Sequence, residues 1–250
     1  MDALTIAAAS GLRSRMESLD LLANNLANTG TSGFKRDQEF YGLYASAESE
    51  DPMTGGPSAT LPVIQRQWTD FSQGLMQVTG NALDVALNGA GFIAVNGRSG
   101  TLYTRNGNLQ ILHTGELATQ DGFVLRNVLS KDGKGPIQAT SGKPIVISSD
   151  GTVVQDGQTI GQMELVNFKS TDSLQKVGST CFQNTDVKNL PVATNAEVQQ
   201  GKIESSNVPV AEAAMRLVGV MRQFEMLQKA ISVDGDMDAK SIQEVARVGS

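Results

Sequence analysis

The residues of this chain that could do chemistry are few, and their spacing does not match a known kind of site. Asp234, Asp236 and Asp238 alternate like the start of a calcium-binding loop. That loop needs a glycine at its sixth position and a glutamate at its twelfth, where this chain has Ala239 and Val245. A solvated acidic segment explains the three aspartates better, so we predict no metal site there.

Two glycine-containing segments are similar in part to nucleotide-binding loops. Gly89 and Gly91 begin like a dinucleotide-binding turn, but no third glycine and no helix follow. This pattern therefore favours a β-hairpin. Gly142 and Lys143 precede Pro144, where a phosphate-binding loop needs Ser or Thr. We expect no cofactor at either place.

His113 and Cys181 are the single histidine and the single cysteine of the chain. One histidine excludes a multi-histidine metal site and a histidine-based catalytic triad, so we expect His113 in a solvent-facing turn. One cysteine excludes an intrachain disulfide, and a structural zinc site normally needs more Cys or His ligands. We therefore predict Cys181 to be a small, partly buried apolar residue. Because no nucleophile has a credible base, we predict that the protein is not an enzyme.

Composition narrows the classes of partner. The 250 residues include 20 basic and 26 acidic residues, for a net charge of -6, and this balance provides no basic patch for nucleic acid. No apolar run approaches the ~20 residues that span a bilayer, so we expect no membrane insertion. Residues 1–12 lack the pattern of a cleaved secretory signal, so export would use another route. Aromatic residues make up only 5%, which favours packing by small residues.

The first element that could organise the chain is a helix over residues 3–28. Leu12, Leu19 and Leu26 recur every seven residues and give this helix an apolar stripe. The Asn- and Gly-rich segment 28–33 then ends it, because these residues accept the left-handed conformation of a helix C-terminus.

A second helix is predicted over residues 209–231, with Ser206 or Asn207 as its cap and Pro209 in its first turn. Its apolar positions follow the three- and four-residue steps of a coiled-coil seam. They are Leu217, Val220, Phe224, Leu227 and Ile231. Two readings stay open: both helices pack on a globular core, or they pair with each other and with copies of the chain.

Between the helices, short alternating strands and frequent turns predict an antiparallel β domain. The turn signals are Asn88-Gly89, Asn96-Gly97, Asn106-Gly107, Asp121-Gly122, Asp132-Gly133 and Asp150-Gly151. The fold class is therefore mainly β with terminal α-helices that pair as a coiled coil on assembly. The predicted segments are an N-terminal helix and turn (1–33), an extended linker with a loop at 48–58 (34–79), the central β domain (80–181), a polar return segment (182–206), and a C-terminal helix with an acidic tail (207–250).

Three stretches closely resemble the signatures of flagellar rod and hook proteins. The first is Leu22-Ala23-Asn24-Asn25-Leu26-Ala27-Asn28, followed by Gly33-Phe34-Lys35-Arg36. The second runs from Gly80-Asn81-Ala82-Leu83-Asp84 to Gly91-Phe92-Ile93-Ala94-Val95 and includes Tyr103-Thr104-Arg105-Asn106-Gly107 farther on. The third is Gly201-Lys202-Ile203-Glu204-Ser205-Ser206-Asn207-Val208. Together they cover nearly the whole chain.

This resemblance implies a structural subunit of the bacterial flagellar rod. Such subunits polymerise with themselves and with other rod proteins into a helical drive shaft that crosses the periplasm and transmits torque to the hook. They leave the cell through the flagellar type III export apparatus without a cleaved signal. The motif Met221-Arg222-Gln223-Phe224-Glu225-Met226 is more similar to proximal than to distal rod members. The alternatives are a distal rod protein, or a non-flagellar coiled-coil adaptor whose β domain recognises a partner.

On this reading, residues of both helices and of the turn after the first helix form the assembly interface. The predicted residues are Leu12, Leu19, Asn24, Asn25, Leu26, Asn28, Phe34, Leu217, Val220, Phe224, Leu227 and Ile231. The three asparagines have short amides suited to hydrogen bonds between closely packed helices. Their alternative role is surface polarity and helix capping.

Overall fold

The computed structural model describes residues 3–45, 60–98 and 100–248, and the chain divides into two compact units. Unit 1 comprises Met1–Ala27, Asp37–Thr69 and Pro209–Ser250, and unit 2 comprises Asn28–Arg36 and Asp70–Val208. The loop predicted at 48–58 lies outside the described residues. Each unit thus combines segments that are distant in sequence.

Unit 1 contains a helix from each end of the chain and a β-hairpin. Its elements are α1 (Ala3–Ala27), β1 (Asp37–Ala45), β2 (Thr60–Thr69) and α2 (Val210–Val248). The hairpin pairs antiparallel from Asp37 opposite Thr69 to Ala45 opposite Thr60, with a bulge between Phe40 and Tyr41. Part of the predicted linker 34–79 is therefore ordered β structure.

The second helix continues well past its predicted end near Ile231. It runs through the aspartates that we had interpreted as part of an acidic tail. Ala, Lys, Gln, Glu and Arg are frequent after Met237, and these strong helix formers extend the helix. At its start, the Ala213 amide donates to the Pro209 carbonyl (2.9 Å), which places Pro209 in the first turn as predicted.

Unit 2 is built from short strands, and all of their pairings are antiparallel within the described residues. Its first strands are β3 (Met76–Val78), β4 (Val85–Asn88), β5 (Phe92–Gly97), β6 (Gly100–Thr104), β7 (Leu109–Ile111), β8 (Leu117–Thr119), β9 (Val124–Asn127) and β10 (Gly135–Pro136). The others are β11 (Ile145–Ile147), β12 (Thr152–Gln155), β13 (Gln158–Gln162), β14 (Leu165–Asn167), β15 (Leu174–Val177), β16 (Cys181–Asn184), β17 (Val192–Ala193), β18 (Glu197–Gln200) and β19 (Lys202–Glu204).

The largest sheet of unit 2 follows the order β15-β16-β6-β5-β9-β8-β7, with β10, β14 and β17 paired beside this path. A three-stranded sheet holds β11, β12 and β13, and two ribbons pair β4 with β18 and β3 with β19. The mainly β architecture with terminal helices agrees with the predicted fold class. The return segment 182–206 contains strands that close these sheets, although we had predicted only a polar connection.

The turn signals predicted some connections correctly and one incorrectly. Asn96-Gly97 lies in the β5–β6 hairpin, and Asp121-Gly122 joins β8 to β9. The hairpin expected at Gly89 and Gly91 was wrong, because the structure pairs β4 with β18 and β5 with other strands. The turn at Gly89–Gly91 instead leads from the ribbon that contains β4 to the large sheet that contains β5. The partner of β4 is β18, about 110 residues downstream.

Two hydrophobic clusters form the core of unit 2. The larger is aliphatic and includes Val85, Leu87, Ile93, Leu117 and Leu125, all at most 1% exposed. In the smaller cluster, Phe71 packs edge-on against Phe92 and Phe182, with ring centroids 5.4 and 4.9 Å apart. Aromatic rings thus form a compact group, contrary to the expectation of packing by small residues alone.

Candidate assembly surfaces of the terminal helices

The buried face of α1 consists mostly of small and polar residues. Gly11, Ser14, Ser18, Leu22 and Asn25 are buried, and their spacing of three and four residues places them on one side of the helix. The predicted stripe of Leu12, Leu19 and Leu26 is only partly buried. At about 3.6 residues per turn it lies roughly a quarter turn from the buried face. The leucines therefore flank the packed side of α1.

The hairpin of unit 1 is fixed to α1 by side-chain hydrogen bonds. The Ser18 hydroxyl donates to Oε1 of Glu39 (2.6 Å). The Asn25 amide donates to the Asp37 carbonyl (2.8 Å), and its oxygen accepts from the Asp37 backbone amide (3.0 Å). Asn25 was predicted to hydrogen bond between helices of an assembly. The structure instead gives its amide a role within the subunit, where it holds the start of β1.

The predicted seam of α2 lies on its less exposed side. Leu217, Val220, Phe224, Leu227 and Ile231 are each partly buried, whereas most other residues of the segment are exposed. The two helices contact each other, and a Cβ added at Gly11 would lie 3.5 Å from Cδ1 of Leu227. Gly11 therefore faces Leu227 across the contact between the helices.

The two helices run antiparallel. In unit 2, the Gly33 amide donates to the Glu204 carbonyl (2.7 Å), so the segment after α1 lies beside the segment before α2. Gly11 precedes the end of α1 by 16 residues and Leu227 follows the start of α2 by 17, which agrees with this direction.

A second apolar row lies on the other side of α2. Met215, Met226, Val233 and Met237 are between 49% and 70% exposed, and Met16 on α1 is 54% exposed. At about 3.6 residues per turn, this row is roughly half a turn from the seam. We call Met215, Met226, Val233 and Met237 the outer row. Sequence reasoning missed it because its spacing of 11, 7 and 4 residues becomes visible only over three or more turns.

A buried group of charges joins distant segments within unit 2. Nζ of Lys35 lies 2.5 Å from Oε1 of Glu204, and NH1 of Arg105 lies 3.1 Å from Oε2 of the same carboxylate. The side chains of Lys35 and Glu204 are fully buried, and that of Arg105 is 4% exposed. We call these three residues the charge cluster.

Burial changes the protonation equilibria of the two cations. Burial lowers the pKa of Lys35, although the Glu204 carboxylate acts in the opposite direction. Burial likewise lowers the pKa of Arg105, and Glu204 again acts in the opposite direction. Lys35 also donates to the Ser72 carbonyl (2.6 Å), and the Gly74 amide donates to Glu204 (2.8 Å). These further hydrogen bonds compensate part of the desolvation of the charges.

The turn between α1 and β1 is held by several contacts of unit 2. Phe34 is fully buried, and Nζ of Lys176 lies 4.3 Å from its ring centroid. Asn28 accepts a hydrogen bond from the Thr31 hydroxyl (3.1 Å). The Asn207 side chain accepts a hydrogen bond from the Arg36 backbone amide (2.8 Å) and donates one to the Asp70 carbonyl (2.8 Å). It therefore connects the residue before β1 with the residue after β2. This role differs from the predicted helix cap. Because Phe34 is enclosed by its own subunit, we remove it from the predicted assembly interface.

The structure locates the residues that the sequence singles out for possible chemistry. No group of three or more His, Cys, Asp or Glu side chains among the described residues could hold a metal ion. His113 lies exposed in a turn, as predicted. Cys181 is more deeply buried than expected, at 2% exposure, and burial raises the pKa of its thiol. None of the described helices is long and apolar enough to cross a membrane.

Comparison with known proteins identifies the family. Residues 86–155 match the flagellar hook protein FlgE/F/G D1 domain, and residues 199–244 match the flagellar basal body rod FlgEFG protein C-terminal region. The basal-body rod protein FlgG of Buchnera aphidicola from Acyrthosiphon pisum is 31% identical over 94% of this chain and 96% of its own length. The chain belongs to the flagellar basal-body rod protein family.

Other relatives of this rod subunit include both named types. FlgF of Caulobacter vibrioides is 28% identical and FlgG of Bacillus subtilis is 28% identical, over 92% and 91% of this chain. Their own lengths are covered to 92% and 93%. The rod subunit is therefore a structural component of the flagellar basal body, in a family of structural proteins that assemble with other rod components.

The charge cluster connects the signature segments of the rod subunit. Lys35 belongs to the first signature, Arg105 to the second and Glu204 to the third. Sequence reasoning missed all three residues because a charged side chain in a turn or strand is usually solvated. Their occurrence in three separate signatures was the signal that could have revealed them. Each of the three signatures thus contributes one residue to a buried contact within the subunit.

Proposed function

We propose that the chain is a proximal rod subunit of the FlgF type that polymerises through its terminal helices into the flagellar drive shaft. The observation that carries this proposal is the exposed outer row of α2. Its four apolar residues are between 49% and 70% exposed. A long helix with uncovered apolar surface is stabilised mainly by packing against other helices.

Neighbouring subunits supply the packing partner. Each α2 has its seam against α1 of the same chain and its outer row against a helix of another chain. The partly buried Leu12, Leu19 and Leu26 of α1 add a flanking contact surface. Such contacts between different surfaces of identical subunits are open-ended and generate a helical array. Torque is then carried by many packed contacts.

The assignment to the proximal rod rests on the sequence of α2. The motif from Met221 to Met226 carries Phe224 where the distal type usually has a tyrosine after alanine. Several relatives are named FlgG, which makes a distal rod subunit the second candidate. Family membership removes the non-flagellar adaptor from consideration.

Further parts of the proposal follow from the family. The subunit leaves the cell through the flagellar type III apparatus and works in the periplasmic part of the basal body, without insertion into a membrane. Its partners are copies of itself and other rod proteins, and it has no nucleic-acid partner, in keeping with the net charge of -6. It has neither a cofactor nor a catalytic activity.

Imaging of labelled basal bodies tests the proposal. An epitope inserted between Asp132 and Gly133, in an exposed turn, is expressed in a strain that lacks the chromosomal gene. Purified hook–basal bodies should carry the label at the end of the rod near the cytoplasmic membrane. A label next to the hook would favour the distal type. Motile cells whose basal bodies lack the label would contradict a role in the rod.

A further inference from the structure

The chain passes between unit 1 and unit 2 at four peptide bonds, which follow Ala27, Arg36, Thr69 and Val208. Two bodies joined by one flexible connection pivot freely, and relative motion is the default expectation for two units of one chain. Several connections permit a pivot only if the residues beside them can change their backbone angles independently. The contacts of these residues therefore decide how the joint behaves.

On the side of unit 2, the side chain of Asn207 ties three of these connections together. Its oxygen accepts from the Arg36 backbone amide and its amide donates to the Asp70 carbonyl, both at 2.8 Å. The same amide donates to the carbonyl (3.2 Å) and the hydroxyl (3.1 Å) of Ser72. Nε of Arg36 lies 3.0 Å from Oδ2 of Asp70. We call Arg36, Asp70 and Asn207 the exit node, because the first two stand at crossings and Asn207 is next to a third.

The backbones that lead to the exit node are packed directly against one another. The Ser205 amide donates to the Leu75 carbonyl (2.8 Å), and the Gly33 amide donates to the Glu204 carbonyl (2.7 Å). A Cβ added at Gly74 would lie only 2.0 Å from the Ser205 carbonyl oxygen, so a side chain there would require a shift of the backbone. Segments in such close contact cannot slide past each other. The exit node is thus anchored to the rest of unit 2.

On the side of unit 1, the same connections are also held. Asp37 lies opposite Thr69 in the hairpin, and the Thr69 hydroxyl donates to Oδ1 of Asp37 (2.7 Å). The Asn25 side chain, near the end of α1, holds the Asp37 backbone. The bonds from Arg36 to Asp37 and from Thr69 to Asp70 therefore have hydrogen-bonded residues on both sides. A hinge needs residues that absorb large changes of φ and ψ, and these contacts oppose such changes.

Asn207 is the residue on which this arrangement depends most, because its one side chain contacts two other connections. We propose that the exit node is a stiff joint, in which Asn207 is the positioning residue that fixes the directions in which the chain leaves unit 2. Rotation of the terminal helices is then passed to the β domain without a free pivot. This rests on the drive shaft proposed above and gives a side chain within the subunit a part in transmitting torque.

Distances between two spin labels on the purified full chain test this joint. One label is attached at Gln228→Cys, which is exposed on α2, and the other at Val146→Cys, which is 56% exposed on β11. Cys181 reacts little with the label, because it is 2% exposed and burial raises the pKa of its thiol. Pulsed electron–electron double resonance should give one narrow distribution of distances.

Asn207→Ala should broaden this distribution about twofold, because the connections that the side chain ties together can then move independently. Far-ultraviolet circular dichroism should show that the variant is folded. The measurement uses the isolated chain, so it does not depend on the assembly of a rod.

Asn189→Ala is the matched control. Asn189 is half-buried like Asn207, and its amide donates to the Ser170 carbonyl (2.6 Å) and the Ser173 hydroxyl (2.7 Å). It lies in the loop between β16 and β17, which contains none of the four crossings. Both variants remove hydrogen bonds from unit 2, and urea unfolding should show similar losses of stability. Only Asn207→Ala should broaden the distribution, which a general loss of stability would not explain.

The outcomes separate this inference from the proposed function. If Asn207→Ala leaves the width unchanged, or if Asn189→Ala broadens the distribution equally, the exit node is not a stiff joint and the rod role stands. A broad distribution in the labelled chain without either substitution would also overturn the joint. If the chain is absent from basal bodies of motile cells, the proposed function is wrong, whereas the spin-label distances still decide whether the joint is stiff.

Discussion

Lys35 and Glu204 form a fully buried ion pair at 2.5 Å, although 169 residues separate them in the sequence. Arg105 shares the same carboxylate, so the charge cluster holds two cations and one anion. Breaking a buried ion pair leaves a charge without compensation and is far more costly than losing a pair on the surface. Because the cluster has two cations and one anion, substitution of the anion and substitution of a cation should change the stability of unit 2 by different amounts.

Glu204→Gln should destabilise unit 2 more than Lys35→Met does. The glutamine leaves two buried cations without a counter-charge and should lower the free energy of unfolding by about 3–5 kcal/mol. The methionine leaves Arg105 paired with Glu204 and deprives the Ser72 carbonyl of one donor, which should cost about 1–3 kcal/mol. Urea unfolding of the full chain, followed by circular dichroism, measures both. Equal losses would show that the balance of charge is not what matters.

Leu227→Asp should prevent rod assembly with little effect on unit 2. The aspartate would place a charge in the contact between α2 and α1, where desolvation costs several kcal/mol. The core of unit 2 does not include Leu227. Cells should lose motility, while thermal unfolding of unit 2 changes little. Leu19→Asp, in the stripe that flanks the packed side of α1, should also abolish motility.

The neighbouring Gln228→Asp is the control for these variants, because Gln228 is exposed. Motility should persist in that variant. A normal rod built from Leu227→Asp subunits would show that the contact between the helices does not matter for assembly.

Gly11→Ala and Gly11→Leu should have opposite effects. A Cβ at position 11 would make an ordinary contact with Leu227, and alanine favours a helix over glycine by about 1 kcal/mol, so Gly11→Ala should stabilise α1. The longer leucine side chain would overlap Leu227 and separate the helices, at a cost of about 1–3 kcal/mol. Hydrogen exchange of amides in α1 reports both changes. Equal protection in the two variants would contradict close packing at this point.

His113→Ala should leave motility and export intact. His113 is exposed in a turn, and substitutions at such positions usually change stability by less than about 0.5 kcal/mol. A swimming assay and the amount of exported chain measure the effect. Complete loss of motility with normal folding and normal rods would point to a chemical or ligand-binding role of this turn.

Asp70 should make the free energy of unfolding of unit 2 depend on pH in the acidic range. Partial burial raises the pKa of Asp70, but hydrogen bonds from Ser72 and Arg36 outweigh it and hold the pKa below its ordinary value of 3.8. Since the folded pKa is the lower one, the contribution is present above pH 3.8 and is lost as the pH falls through the folded pKa. Asp70→Asn should be less stable than the wild type at pH 7, and the two urea midpoints should converge as the pH falls through the folded pKa of Asp70. A constant difference across this range would exclude the carboxylate as the cause.

The sequence alone predicted the elements that depend on local patterns. The three- and four-residue spacing from Leu217 to Ile231 correctly identified the less exposed side of α2, and Asn96-Gly97 correctly identified a hairpin. It failed where pairing is non-local, because nothing near Gly89 shows that β4 pairs with β18. It also failed for the charge cluster. Whether a lysine is solvated or buried depends on a partner such as Glu204, whose position only the folded chain determines.

The positions of β18 and β19 determine when unit 2 can be completed. These strands, at Glu197–Gln200 and Lys202–Glu204, pair with β4 and β3 near the beginning of the unit, and Glu204 supplies the counter-charge for Lys35. When the chain emerges N-terminus first, from a ribosome or through a narrow channel, β18 and β19 therefore emerge immediately before α2. These are the strands that complete unit 2. Until then Lys35 and Arg105 lack their anion and β3 and β4 lack their partners. The order of the segments delays stable folding until about four fifths of the polypeptide has passed.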